Sequence, residues 1–272
     1  HLLRDRGYAT SLIGKWHLGL LPKYGPVESG YQEFWGLRGG GVDYFTHRFA
    51  GAEDLWDGEA RIEENGYLTE LLADRTIRTL EARRGDGRPF LISLHFTAPH
   101  WPWEGPDDRA ESARLDAIDD PAALLHYDGG SLATYAEMVT FMDRQVGRVL
   151  ARLAELGLDR DTIVIFTSDN GGAWYNGMEG LNAPFRGWKA TFFEGGIRTP
   201  LFMRWPGQIA PGSQRADMTG HLDIFSTIQQ GRPEGMPPCR NKIPDYQVWQ
   251  LVAYVQSMSG QTPIDASPGR AD

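Results

Sequence analysis

An α/β fold built on a mostly parallel central sheet is predicted by three observations. Short, nearly continuous apolar segments alternate with long segments of helical periodicity. The apolar segments lack the strict alternation of a strand with one wet face, so both faces are expected to be covered. Three of them run directly into polar, chemistry-bearing residues, as strands do at the carboxyl edge of an α/β sheet.

The elements follow in order. "HLLRDRGY" reads as the end of a helix that passes through Gly7 into the strand "ATSLIG". The segment from Pro22 to Asn65 is rich in glycine and aromatics and reads as an ordered surface segment. "YLTELLADRTIRTLEARR" carries Leu68, Leu71, Leu72, Ile77 and Leu80 at helical spacing, with Arg83 and Arg84 closing its last turn. Gly85, Gly87 and Pro89 break it before the strand "FLISLHF". A second helix, "SLATYAEMVTFMDRQVGRVLARLAELG", has the stripe Leu132, Tyr135, Met138, Val139, Met142, Val146, Val149, Leu150 and Leu153. "TIVIFTSDN" and "TPLFMRWPG" supply two further strands.

Composition narrows the function. Among 272 residues, 41% are hydrophobic and 23% charged, which is ordinary for a globular chain. The net charge of −9 speaks against nucleic acid as a partner, since a phosphate backbone needs a basic face. No apolar run is long enough for a membrane span. With the single Cys239, an intrachain disulfide, a thiolate zinc site and a CxxC pair are all excluded.

Chemistry gathers at the strand ends. In "SLIGKWHLG", Lys15 and His17 stand two residues apart and so share a face of an extended chain. Asp169 and Asn170 precede Gly171 and Gly172; a carboxylate and an amide carbonyl are hard donors suited to calcium or magnesium, although Asn-Gly is also a common turn. His100 lies between Pro99 and Pro102, either as a fixed imidazole or as a packing residue among tryptophans. Lys189 sits in "FRGWKATFFEGG", as an anion-binding charge or a snorkelling surface chain. Together these are groups that suit transfer of a tetrahedral oxyanion, with cations holding charge and imidazoles moving protons.

At the level of motifs, "GYATSLIGKWHLG" resembles the second signature of the sulfatase family, within the alkaline phosphatase superfamily. The likeness continues through "SGYQEFWG", "PFLISLHFTAPHWPWEGP", "YAEMVTFMDRQVGRVLARLAELGLDRDTIVIFTSDNGG" and "RGWKATFFEGGIRTPLFMRWPG", and ends near residue 228. The resemblance implies an alkaline phosphatase-like sheet with helices on both faces, incomplete at the N-terminus. It implies a calcium- and formylglycine-dependent hydrolase of sulfuric esters, acting on a sulfated small molecule or glycan and periplasmic or secreted. Carried over, Asp169 and Asn170 ligate one calcium ion. Lys15, His100 and Lys189 bind sulfate, and Lys15, His17, His100 and Lys189 serve catalysis. Two readings stand beside it: a phosphodiesterase or phosphomonoesterase of the same superfamily, and a non-catalytic module for sulfated glycans, with the tryptophans of "WPWEGP" stacking on sugar.

Two departures qualify the resemblance. The formylglycine motif, Cys or Ser followed by x-Pro-x-Arg, does not occur in the sequence, and the tandem aspartates that complete the calcium cage are missing. The chain is therefore expected to bind calcium weakly and to hydrolyse no sulfate ester by itself. Residues 1–228 are read as the catalytic domain. Residues 229–272 are read as a foreign or fused tail resembling the end of a c-type cytochrome, with Met236 in the axial-ligand position. Haem is not expected, because attachment needs CxxCH.

Overall fold

The computed structural model describes residues 3–118, 130–173 and 180–214. The tail with Met236 and Cys239 lies outside the described residues. The chain divides into two compact units, one of His1–Thr162 with Asn170–Thr199, the other of Ile163–Asp169 with Pro200–Asp272.

The first unit is organised around β1 (Ala9–Lys15), which lies between β2 (Glu33–Leu37) and a later strand, β7 (Phe90–His95), and is parallel to both. The register sets Ile13 beside Trp35 on one side and Leu94 on the other. Both faces of β1 are covered: Ile13 and Trp35 belong to the main core, while Leu12 and Phe34, which point the opposite way, are also buried. This accounts for the lack of alternation in the sequence. The expected helix end before β1 is a single 3-10 turn, Arg4–Arg6.

The segment from Pro22 to Asn65 departs from its reading as surface. It contains β2, the second strand of the sheet, with Phe34, Trp35 and Leu37 all buried. Beyond β2 come the short hairpin β3 (Arg48–Phe49) with β4 (Ala52–Glu53), then β5 (Trp56–Asp57) and β6 (Ala60–Arg61). β5 pairs antiparallel with β2 and β6 antiparallel with β5, giving the order β6-β5-β2-β1-β7, so the sheet is mixed. The β5–β6 link is only a few residues long, and a link that short permits only antiparallel neighbours.

Helix α1 (Leu68–Arg83) packs on β1 and β7 (Phe90–His95). Its first N–H is accepted by the Tyr44 carbonyl at 2.8 Å. Leu68, Leu71, Leu72 and Leu80 are buried as their spacing predicts. The short helix α2 (Arg109–Asp116) follows, buried only at Ser112 and Leu115. Helix α3 (Leu132–Glu155) is capped by Ser131, whose hydroxyl accepts the Thr134 N–H at 3.1 Å. It lies on α1, tied by Arg148–Asp74 (2.7 Å) and Arg152–Glu81 (2.6 Å). Met138 and Leu153 carry the burial of its stripe, and Leu132 is 64% exposed because the stripe's first turn overhangs the packing surface. The one-turn helix α4 (Glu194–Ile197) completes this unit.

In the second unit, β8 (Val164–Thr167) and β9 (Leu201–Arg204) pair antiparallel with each other. Among the described residues they form a separate two-stranded sheet, where one continuous sheet was expected. No helix among the described residues is long and apolar enough to cross a membrane.

The core position Leu72 and the exposed Phe192, at 0% and 96% exposure, give a contrasting pair. Leu72→Ala is expected to lower unfolding stability by about 2–5 kcal/mol and Phe192→Ala by less than about 0.5 kcal/mol, read from urea denaturation curves.

Candidate active site

The site grows from the carboxyl ends of the parallel strands. Lys15 is the last residue of β1 and is half-buried; its carbonyl accepts a hydrogen bond from Nδ1 of His95, the last residue of β7, at 2.9 Å. Past β1 the chain keeps its hold on the segment leaving β2: Trp16 N–H donates to Leu37 (2.8 Å) and His17 N–H to Arg38 (3.2 Å). At His17 the backbone turns into the left-handed region, with φ 51°, and the imidazole is exposed.

Residues 38–41 form a glycine shelf that the sequence reading did not identify. The Asp54 carboxylate fixes it, accepting the N–H groups of Arg38 (3.2 Å) and Gly39 (2.7 Å). A Cβ on Gly40 would lie 2.5 Å from the His17 ring, and one on Gly41 would lie 3.0 Å from His100 Nδ1. Adjacent glycines thus receive the two imidazoles: a side chain at 40 would overlap the His17 ring, and one at 41 would press on His100. The available signal was "RGGGVD" directly after a buried strand.

His100 sits in the turn after β7, with its N–H donating to the Thr97 carbonyl (2.9 Å). Its carbonyl accepts the Tyr44 phenol at 2.9 Å. Nδ1 is 2.8 Å from the Trp101 carbonyl; a carbonyl only accepts, so Nδ1 carries the proton and the neutral ring has its lone pair on Nε2. The imidazole is pushed down to about 3, first by burial and then by the positive field of Lys15, with smaller contributions from Lys189 and His17 that the Trp101 bond only partly offsets. Lys15, His17 and Lys189 all disfavour a proton on this one half-buried ring.

Lys189 is half-buried on a segment pinned to the one that follows Asn170. Its N–H donates to the Gly172 carbonyl (3.0 Å), and the Asn182 side chain brackets Gly172 from both sides (2.7 and 3.0 Å). Gly171 N–H donates to Gly196 (3.0 Å). Asn170 is thereby joined to the Lys189 segment, and its Nδ2 donates to the Gly171 carbonyl at 2.9 Å. Asp169 ends the first stretch of the second unit, with an exposed side chain.

The donor chemistry of Asp169 and Asn170 fits a hard cation in kind and falls short in number. Calcium takes about six to eight oxygens. Among the described residues no group of three or more His, Cys, Asp or Glu converges as a metal cage. The tryptophans of "WPWEGP" divide: Trp103 is 3% exposed and donates Nε1–H to Pro99 (3.2 Å), so it is core and not a sugar platform. Trp101 is half-buried with its ring 4.3 Å from that of His100.

Comparison with known proteins bears on this arrangement. The sequence model of the Sulfatase family matches residues 1–230. The chain is 32% identical to steryl-sulfatase of Mus musculus, with 84% of this chain and 46% of that protein covered. It is 30% identical to N-acetylgalactosamine-6-sulfatase of Mus musculus, over 83% of this chain and 43% of that one. The chain thus spans less than half the length of these relatives. Its fold matches the crystal structure of Ps i-CgsB in complex with k-i-k-neocarrahexaose, with TM-score 0.63 and 27% identity, over 78% of this chain and 48% of that one.

The sign of the His100 shift has a consequence for stability. Its folded value lies below the usual 6.5, so the unfolded chain takes up this proton first as pH falls. The contribution is neutral above about pH 6.5 and destabilising from there down toward about 3. Lys15→Met is expected to raise the His100 value, and Lys189→Met to raise it by less, read by NMR titration of the imidazole nitrogens.

Proposed function

The chain belongs to the sulfatase family, and on that premise we propose that its site binds the sulfate group of a sulfuric ester and that the whole protein hydrolyses such esters. The observation that carries the reading is geometric: the His17 and His100 rings lie against the adjacent Gly40 and Gly41, just beyond the carboxyl ends of β1 and β7, where Lys15 ends β1. A tetrahedral anion among these groups relieves their mutual repulsion and stabilises the protonated form of His100.

The roles follow from the chemistry of each group. Lys15 and Lys189 hold charge on the sulfate oxygens as compact ammonium donors. His100 has Nδ1–H tied to the Trp101 carbonyl, so the proton it gains on anion binding resides on Nε2. From there it can be donated to a sulfate oxygen or to the departing ester oxygen. His17, exposed beside Gly40, acts as the base on the open side of the site.

In the family, formylglycine made from cysteine or serine supplies the attacking hydrate. The Cys/Ser-x-Pro-x-Arg motif does not occur in these 272 residues, so they bind and orient sulfate without supplying that nucleophile. Asp169 and Asn170 are proposed as part of a calcium shell, with the remaining ligands coming from elsewhere. Likeness to N-acetylgalactosamine-6-sulfatase and to a sulfatase-fold structure crystallised with a carrahexaose supports a sulfated glycan as substrate, with a sulfated small molecule the other class. A periplasmic or secreted setting, a catalytic domain over residues 1–228 and a separate tail over 229–272 complete the reading.

Isothermal titration of the 272-residue chain with sodium sulfate is expected to show binding. Lys15→Met and Lys189→Met should each weaken it by about tenfold or more, the loss of one charge-assisted contact of ~1.5–3 kcal/mol. Incubation with 4-nitrophenyl sulfate and calcium should release no nitrophenol. Undiminished affinity in both variants, or turnover by the chain, would overturn the assignment.

A further inference from the structure

Beneath the glycine shelf lies a pair of carboxyl groups that the sulfate site does not use directly. Glu104 is 0% exposed and Asp43 3%. Asp43 Oδ2 and Glu104 Oε1 are the two carboxyl oxygens among the described buried side-chain atoms that no donor reaches. Each acts on the other's proton affinity, and two ionised carboxylates are acceptors only, so a proton held between them is the arrangement that pairs both. A single proton satisfies both.

The remaining oxygens say which residue carries it. Asp43 Oδ1 accepts from Phe45 N–H (2.9 Å), Thr46 N–H (2.7 Å) and the Ser112 hydroxyl (2.9 Å). Glu104 Oε2 accepts only the Tyr44 N–H, at 3.0 Å. Three donors stabilise the charge on Asp43, so the proton belongs to Glu104. Burial first, and then Asp43, pushes the Glu104 carboxyl up to about 10, while the donors around Asp43 outweigh its burial and hold it below its ordinary value. The other titratable groups facing the pair are His47, Tyr44, Tyr67 and Glu111.

Tyr44 links this pair to the site. Glu104 holds its backbone N–H, and its phenol donates to the His100 carbonyl at 2.9 Å. From the other side, the Tyr67 phenol donates to the Glu104 carbonyl at 2.7 Å. Gly40 and Gly41, on which the His17 and His100 rings rest, immediately precede this anchored stretch. We propose that protonated Glu104 is a positioning residue, locking the 39–44 segment to the His100 turn and so fixing the spacing of the His17 and His100 imidazoles.

The inference deepens the sulfate-site reading and rests on it for its function, yet it can be tested without ligand. The experiment is an NMR titration of His100 in the 272-residue chain, followed by sulfate calorimetry. Glu104→Leu removes both the donor and the acceptor; the loosened His100 turn hydrates, so the ring should protonate near about pH 6 and sulfate affinity should fall roughly tenfold. Glu104→Gln can still donate to Asp43 and accept from Tyr44, and should restore parental titration and affinity to within about twofold. Tyr44→Phe deletes only the phenol link and should shift His100 in the same direction, which keeps the test open if Glu104→Leu does not fold. A folded Glu104→Leu or Tyr44→Phe chain whose His100 titrates like the parent overturns the proposal, whatever its melting temperature. Failure of the parent chain to bind sulfate would instead sink the functional reading and leave the His100 result standing.

Discussion

Because β1 pairs in parallel with β2 on one side and with β7 on the other, three strands run out at the same edge of the sheet. Lys15, Leu37 and His95 mark that edge, and the backbone bonds among them continue past it. Each outgoing loop is therefore launched from a fixed point. His17 leaves from β1, the glycine shelf from β2 and the His100 turn from β7. An antiparallel arrangement would have sent alternate loops to opposite ends of the molecule.

The price of gathering cations at one edge is electrostatic. Lys15, Lys189 and His17 each disfavour a proton on the half-buried imidazole of His100, which stays neutral. On the proposed reading, an anion placed among these groups would be attracted by each of them and would favour the protonated form of His100. The net charge of −9 shows how local this is: the cationic groups belong to a chain that is acidic as a whole.

Rigidity beneath the site comes from polar groups as much as from packing. The Tyr44 ring stacks on Tyr67 at 5.3 Å within the main core, while its N–H, carbonyl and phenol reach Glu104, Leu68 and His100 respectively. One residue thus ties a carboxyl pair, the start of α1 and the His100 turn together. Such a network is stabilising only when fully satisfied, and the proton inferred between Asp43 Oδ2 and Glu104 Oε1, which no other donor reaches, would complete it.

The sequence by itself determined the fold class, the long helices α1 and α3, the strands β1, β7, β8 and β9, and the family. These rest on local periodicity and on motifs contiguous in the chain. It did not reveal β2, because "EFWGL" is a short run bracketed by glycines, and its burial comes from pairing with a strand about twenty residues earlier. Nor did it reveal the shelf of Gly40 and Gly41, the core role of Trp103, or the carboxyl pair whose members lie 61 positions apart. Only tertiary structure decided these, since whether a glycine makes room, a tryptophan faces solvent or a carboxyl keeps its proton depends on what the fold brings against it from distant parts of the chain.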